Sequence, residues 1–193
     1  PYPTPFRSLA RQGWQVAWSR PAAAAQGAAR EDLRAYALGA PAVELLRRLR
    51  VWDALPAGAV TPVTDMRIHG DRGGHLEFTA WQQCVDALSW IVDAAELDRV
   101  LADAMRFAPH VTAVDHPVPA RLQAVCEGRD AASRAAFGVR FDWQDYGQHG
   151  LAARLLSDRP HGGVAWQWFR SPDILALLPF DRPEGGRSFA LVW

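Results

Sequence analysis

The chain has 193 residues, 49% of them hydrophobic, which suffices for one sizeable core or two small ones. Its 21 basic and 21 acidic residues give a formal net charge of +0, so the basic excess of a nucleic-acid binder is missing. Two cysteines, Cys84 and Cys126, without a C-x-x-C spacing, exclude a disulfide framework and point to a reducing, cytoplasmic setting.

Residues 1–5, "PYPTP", cannot be helix interior, because proline fixes φ and removes a donor. "FRSLARQG" reads as the last turns of a helix stopped by Gly13, and "WQVAW" (14–18) as a short strand. "PAAAAQGAA" (21–29) is a loop or a weak helix. The clearest helical region is 31–49, where Leu38, Val43, Leu45, Leu46 and Leu49 recur at helical spacing; Gly39 and Pro41 break it, so its main helix begins near Pro41. "VTDMRIHG" and "HLEF" flank "DRGG" and predict a β-hairpin. "LSWIVD" (88–93) predicts a strand, and 94–105 an amphipathic helix with Leu97, Val100, Leu101 and Met105 on one face. "VTAV" and "LQAVC" read as short strands. Four β-like runs follow, "YGQHGLAARLL", "GGVAWQWF", "ILALLPF" and "RSFALVW", as a meander of antiparallel strands. The mixture, β/α early and mostly β late, is that of an α/β (α+β) protein with a large mixed sheet.

No apolar run approaches the roughly 20 residues of a membrane span, and no basic-then-apolar signal opens the chain. Every basic residue is arginine, a mark of composition without a bearing on activity. The 9 tryptophans belong mostly to cores, with some able to line a pocket for a flat ligand. His69, His75, His110, His116, His149 and His161 lack H-x-x-x-H or H-E-x-x-H spacing, which argues against a metal site. No G-x-S-x-G is present, so hydrolysis has no support. The arginines of "LLRRLR" read as a solvated helix face.

Taken together, "LARQGWQVAW", "DLRAYALGAPAVELLRRLRVWDAL", "DALSWIVDAAELDRVLADAM", "CEGRDAASRAAFGV", "YGQHGLAARLLSDRPHGGVAWQWF", "ILALLPF" and "SFALVW" resemble, in order and spacing, the FAD-dependent aromatic hydroxylases of ubiquinone biosynthesis. The resemblance covers nearly the whole chain. It implies a partial Rossmann-like FAD-binding domain (1–60 and 88–140) and a mixed/antiparallel substrate-domain sheet (61–87 and 141–193).

It also implies site residues. On the cofactor side stand Glu127, Gly128 and Arg134, where the family's chain passes the flavin's ribose and diphosphate. Glycine there permits a tight turn and close backbone approach. The family has Asp where this chain has Glu127, one methylene longer, and Ser where it has Ala131. The plain alternative is an ordinary strand–turn–helix with an exposed Glu and Arg. Arg34 is the other cofactor residue, its planar guanidinium suited to a diphosphate or a flavin edge; the alternative is a solvated arginine beside Glu31 or Asp32. Tyr146, Gln148 and Pro179 fall on the substrate side, against ordinary strand packing for the first two and a strand terminator for Pro179.

The family's opening strand with G-x-G-x-x-G and its later Gly-Asp motif have no counterpart in these residues, so the expectation is the middle of such an enzyme, inactive alone and weak in FAD binding. "WQVAW" would then present an open edge prone to self-association. The implied reaction is monooxygenation: NAD(P)H reduces the flavin, and oxygen passes to an activated aromatic or quinone-type ring. No protein nucleophile is required. The rival expectations are a non-catalytic binding module of the same descent and another flavin-dependent oxidoreductase. The expected partners are a small aromatic or quinone-type molecule and no nucleic acid, with peripheral association at the inner membrane or in a complex.

Overall fold

The computed structural model describes residues 4–19, 32–126, 128 and 132–193, to which all structural statements refer. In chain order the first elements are α1 (Thr4–Arg11), β1 (Val16–Ser19), β2 (Ala35–Leu38), α2 (Ala40–Arg48), β3 (Val60–Val63), β4 (Asp65–His69) and β5 (His75–Thr79). They continue with β6 (Ser89–Asp93), α3 (Ala94–Arg106), β7 (Val111–Val114), β8 (Ala152–Leu156), β9 (Val164–Arg170), β10 (Asp173–Phe180) and β11 (Ser188–Val192). Contacts divide the chain into two compact units, Pro1–Glu31 with Asp98–Gln148, and Asp32–Leu97 with His149–Trp193.

In the first unit, α1 ends at Arg11, and Gly13 just beyond it has a φ of 87° that only glycine adopts without strain. The chain then enters β1, which pairs in parallel with β7 from Val16↔Val111 to Ser19↔Val114. Arg7 of α1 donates to the carbonyl oxygen of Ala104 in α3. The expected apolar face of α3 is buried at Leu97, Val100, Leu101 and Met105. Its start is capped by Asp93, whose Oδ1 accepts the amides of Ala95 and Glu96, a contact worth about 1 kcal/mol.

The second unit contains a six-stranded sheet, ordered β5-β4-β9-β10-β11-β8, and a three-stranded antiparallel sheet, ordered β2-β6-β3. Only the β4–β9 pairing of the larger sheet is parallel. Val63 and Ile91 of the small sheet and Ala165, Phe180 and Ala190 of the large one form one core, flanked by Ala35 and Leu178. Side chains alternate along a strand, so Trp166, Trp168, Leu175 and Leu177 turn to the opposite face of the large sheet.

Four expectations are corrected. Residues 35–38, read as helix, form β2, because ladder pairing with β6 outweighs the helical preference of Ala and Leu. Within α2, Val43, Leu46 and Leu49 face the core as expected, but Leu45 is 39% exposed. The run "LQAVC" forms no strand, having no paired neighbour among the described residues. The last strands are not a simple meander: β8 returns to pair with β11, so β9 is left to pair with β10 and β4.

Candidate functional site

Of the cofactor-side residues of the first unit, Gly128 and Arg134 are among those described. Gly128 has φ 79° and open space where a Cβ would stand, so conformation alone favours glycine there. A single 3-10 stretch, Ala132–Phe137, follows, and Arg134 within it donates to the Gly128 carbonyl oxygen at 3.3 Å. The Arg134 guanidinium also lies over the Phe141 ring, 4.2 Å from its centre. Glu127 lies outside the described residues. The structure thus brings Gly128 and Arg134 together. A guanidinium beside a left-handed glycine fits the phosphate portion of a nucleotide by its donor chemistry.

Arg34 belongs to the second unit and has a partner already. Its Nε and Nη2 donate to the two carboxylate oxygens of Asp32 at 2.8 and 2.6 Å. That bidentate hydrogen bonding holds the Asp32 carboxyl below its ordinary value against the opposing effect of burial. Arg34 therefore presents an ion pair, suited to a flavin edge more than to an unpaired diphosphate. Its carbonyl oxygen accepts from Arg154 at 2.9 Å, and Arg154 in turn covers the Phe180 ring at 3.7 Å.

Of the substrate-side residues, Tyr146 is 76% exposed, and neither it nor Gln148 lies in a strand, since β8 begins at Ala152. The expectation that they open a strand is corrected: five glycine-rich residues, "YGQHG", resist ladder formation. Pro179 lies inside β10, buried, opposite Phe189 of β11. The β9 ladder ends at Leu177, so the missing amide of Pro179 leaves no gap in it.

A second cluster was not singled out from sequence. On the outer face of the large sheet, the parallel β4–β9 register sets His69 beside Trp168 and Arg67 beside Trp166. The His69 ring lies near-parallel to both indoles, 5.9 Å from each, and the indoles lie 5.8 Å apart at 6°. His75 stands 5.7 Å from His69 across the hairpin. Arg67 covers Trp166 at 4.9 Å while donating to Glu77 at 3.0 Å. A cavity of about 530 Å³ opens beside this cluster, at His69 and Trp168, and is lined also by Asp71, Leu175 and Trp193. The Nε2 of His69 is buried without a hydrogen-bond partner among the described residues, an arrangement that costs stability unless a ligand or water completes it. A triangle of near-parallel π faces beside a cavity suits a planar aromatic ligand. The signal in sequence was the alternation in "WQW", which needs the distant "RIH" to become a site.

No family model matches the chain. It is 24% identical over 172 residues to 3-demethoxyubiquinol 3-hydroxylase of Escherichia coli (strain K12), a match that covers 78% of this chain and 44% of that protein. The chain thus spans less than half the length of that curated relative. Among solved structures, p-nitrophenol 4-monooxygenase PnpA from Pseudomonas putida DLL-E4 superposes with a TM-score of 0.70 at 14% identity, over 98% of this chain and 54% of PnpA. PqsL of P. aeruginosa in complex with 2-aminobenzoylacetate gives 0.67 at 14%, over 96% of this chain and 55% of PqsL. HpxO of Klebsiella pneumoniae, complexed with FAD and uric acid, gives 0.57 at 14%, over 85% of this chain and 48% of HpxO. The chain has the fold of the FAD-dependent monooxygenases.

Proposed function

We propose that the chain supplies phosphate-side and substrate-side framework of an FAD-dependent hydroxylase acting on a small, electron-rich aromatic or quinol-type ring. The observation that carries this reading is the cluster of His69, Trp166 and Trp168 beside a cavity, on a fold shared with PnpA and PqsL. Bound FAD, reduced by NAD(P)H, supplies the oxygen-activating chemistry.

In this reading, residues 1–60 and 88–140 serve the flavin and 61–87 and 141–193 the substrate. Gly128 and Arg134 hold the phosphates, Glu127 reaches toward a ribose hydroxyl, and Arg34 with Asp32 borders the flavin. Trp166, Trp168, Tyr146, Gln148 and Pro179 belong to the substrate side. Trp168 at the cavity excludes water and stacks the ring, backed by Trp166 and by the His69 imidazole beside it. No protein nucleophile is needed. The name of the E. coli relative favours a quinol-type substrate, and the p-nitrophenol in the name of PnpA and the 2-aminobenzoylacetate bound to PqsL favour a simple aromatic one.

The test is a titration of the chain with catechol and, separately, cyclohexanol, followed by tryptophan fluorescence. Saturable quenching by catechol alone is expected. Equal responses to the two would remove the aromatic site from the account.

A further inference from the structure

We propose that the open edge of β5 pairs antiparallel with β5 of a second copy of this chain, about a two-fold axis that passes between the two Leu76 residues. The pairing joins two large sheets into one. It does not depend on the flavin reading.

β5 ends the large sheet, and among the described residues its one strand neighbour is β4. The hairpin ladder fixes which way its backbone groups turn. The Gly70 amide donates to the Gly74 carbonyl oxygen and the Ala80 amide to the Thr64 carbonyl oxygen, each at 2.7 Å. Hydrogen-bonded pairs alternate along an antiparallel ladder. Leu76 and Phe78 are therefore bonded to β4, while His75, Glu77 and Thr79 turn their amides and carbonyls to the open edge. Natural edges are blunted by lysine, proline or a bulge; His75–Thr79 has none of these. Its one carboxylate, Glu77, is paired with Arg67 of β4 at 3.0 Å.

The hydrogen bonds select the partner's register. The Thr79 carbonyl oxygen already accepts the Gln83 amide at 3.3 Å, and the Gly73 amide already donates to Gly70 at 3.3 Å. His75 and Glu77 remain. A strand with a donor and an acceptor at each of two alternate positions is complementary to a second copy of itself run antiparallel. A two-fold axis at Glu77 or beyond would draw on Thr79, and at Glu77 it would also set two carboxylates opposite one another. An axis at His75 would draw on Gly73. The axis at Leu76 uses the open groups alone. It sets each His75 opposite the partner's Glu77, imidazole against carboxylate, and each such pair exchanges both N–H···O bonds.

Side chains add to this. Leu76 is 58% and Phe78 42% exposed, on the face of the large sheet that carries Ala165. The axis brings Leu76 against the partner's Leu76 in a closely spaced pair without backbone bonds, and Phe78 within diagonal reach of the partner's Leu76. A pairing of this length stays below the roughly 1,600 Å² of a standard interface, so the dimer belongs to the weak, concentration-dependent class.

The test is disulfide trapping in chains that carry Cys84→Ser and Cys126→Ser. Cysteines in a closely spaced pair stand about 4.5 Å apart at Cα, within disulfide range. Leu76→Cys should cross-link to a dimer about tenfold faster than Glu77→Cys or Phe78→Cys, whose Cα atoms stand more than about 7 Å from their counterparts in this register. Adding Glu77→Pro, which removes an outward amide and none of the β4 ladder, should abolish that advantage. In the unsubstituted chain, amide exchange at His75 and Glu77 should slow about threefold or more between roughly 10 µM and roughly 1 mM protein. Equal trapping at the three positions, faster trapping at Glu77 or Phe78, or exchange at His75 and Glu77 that is independent of concentration would overturn the proposal. So would slowing confined to Val16–Ser19, which would place self-association at β1.

Discussion

His161 and Asp181 are locked together in the second unit, with Nε2 of the imidazole 3.2 Å from Oδ1 of the carboxylate. The Gly163 amide donates to Nδ1 of the same ring at 3.0 Å, which fixes the proton on Nε2 and makes His161 the donor to Asp181. The carboxylate also accepts from Thr61 at 3.0 Å and from the Gly186 amide at 2.7 Å. These contacts tie β3, the loop before β9 and the loop after β10.

The first prediction concerns this network. Burial pushes the Asp181 carboxyl upward, but the bonds from Gly186, His161 and Thr61 outweigh it and hold the group below its ordinary value. A depressed carboxyl contributes stability that is complete above its unfolded pKa, about 4, and is lost as pH falls through the lower folded value. Asp181→Ala strands the donors of Thr61, His161 and Gly186 and should cost about 3 kcal/mol at pH 7. Asp181→Asn, which still accepts, should cost less. Urea denaturation at pH 7 and pH 3 checks both the order and the sign: the wild-type advantage over Asp181→Ala shrinks at the lower pH.

A second prediction follows from the shared core. Phe180 is 1% exposed between the two sheets and lies under the Arg154 guanidinium. Phe180→Ala removes a large buried side chain and should lower stability by about 3–5 kcal/mol. Phe180→Leu should recover more than half of that loss. Chemical denaturation with an unchanged m-value would show that the change acts on the native core.

At Gly128, space and conformation can be separated. Among the described residues nothing within 4 Å would meet an added Cβ, yet φ is 79°. Gly128→Ala should therefore cost about 1–2 kcal/mol through backbone strain alone, and Gly128→Asn less, because asparagine tolerates the left-handed region. Gly128→Val costing no more than Gly128→Asn would contradict this, since a β-branched residue suffers most there. Melting temperatures of the three variants decide it.

The elements legible in the sequence were those whose pattern is local. The hairpin of β4 and β5 was marked by "DRGG", α3 by its four buried apolar positions, and the break before α2 by Gly39 and Pro41, which the structure places at the helix start. Elements fixed by distant partners were misread. β2 carries helix-forming Ala and Leu and is a strand only because β6 lies beside it. The run 122–126 has strand-like residues but, among the described residues, no neighbour to complete a ladder. The site divides the same way. Gly128 and Arg134, six residues apart, were found together in the sequence and are joined by a hydrogen bond. The pairing of His69 with Trp168 depends on a parallel register between strands far apart in the chain, which no local spacing encodes.

The aromatic cluster is the part of the account on which the hydroxylase reading stands, and the indole N–H resonances of the nine tryptophans report on it residue by residue. Addition of catechol should shift the signals of Trp166 and Trp168 and leave those of the exposed Trp81 and Trp143 in place, and Trp168→Ala should weaken binding about tenfold without lowering Tm. Catechol that leaves Trp166 and Trp168 unmoved, or that binds Trp168→Ala as tightly as the parent, would contradict it.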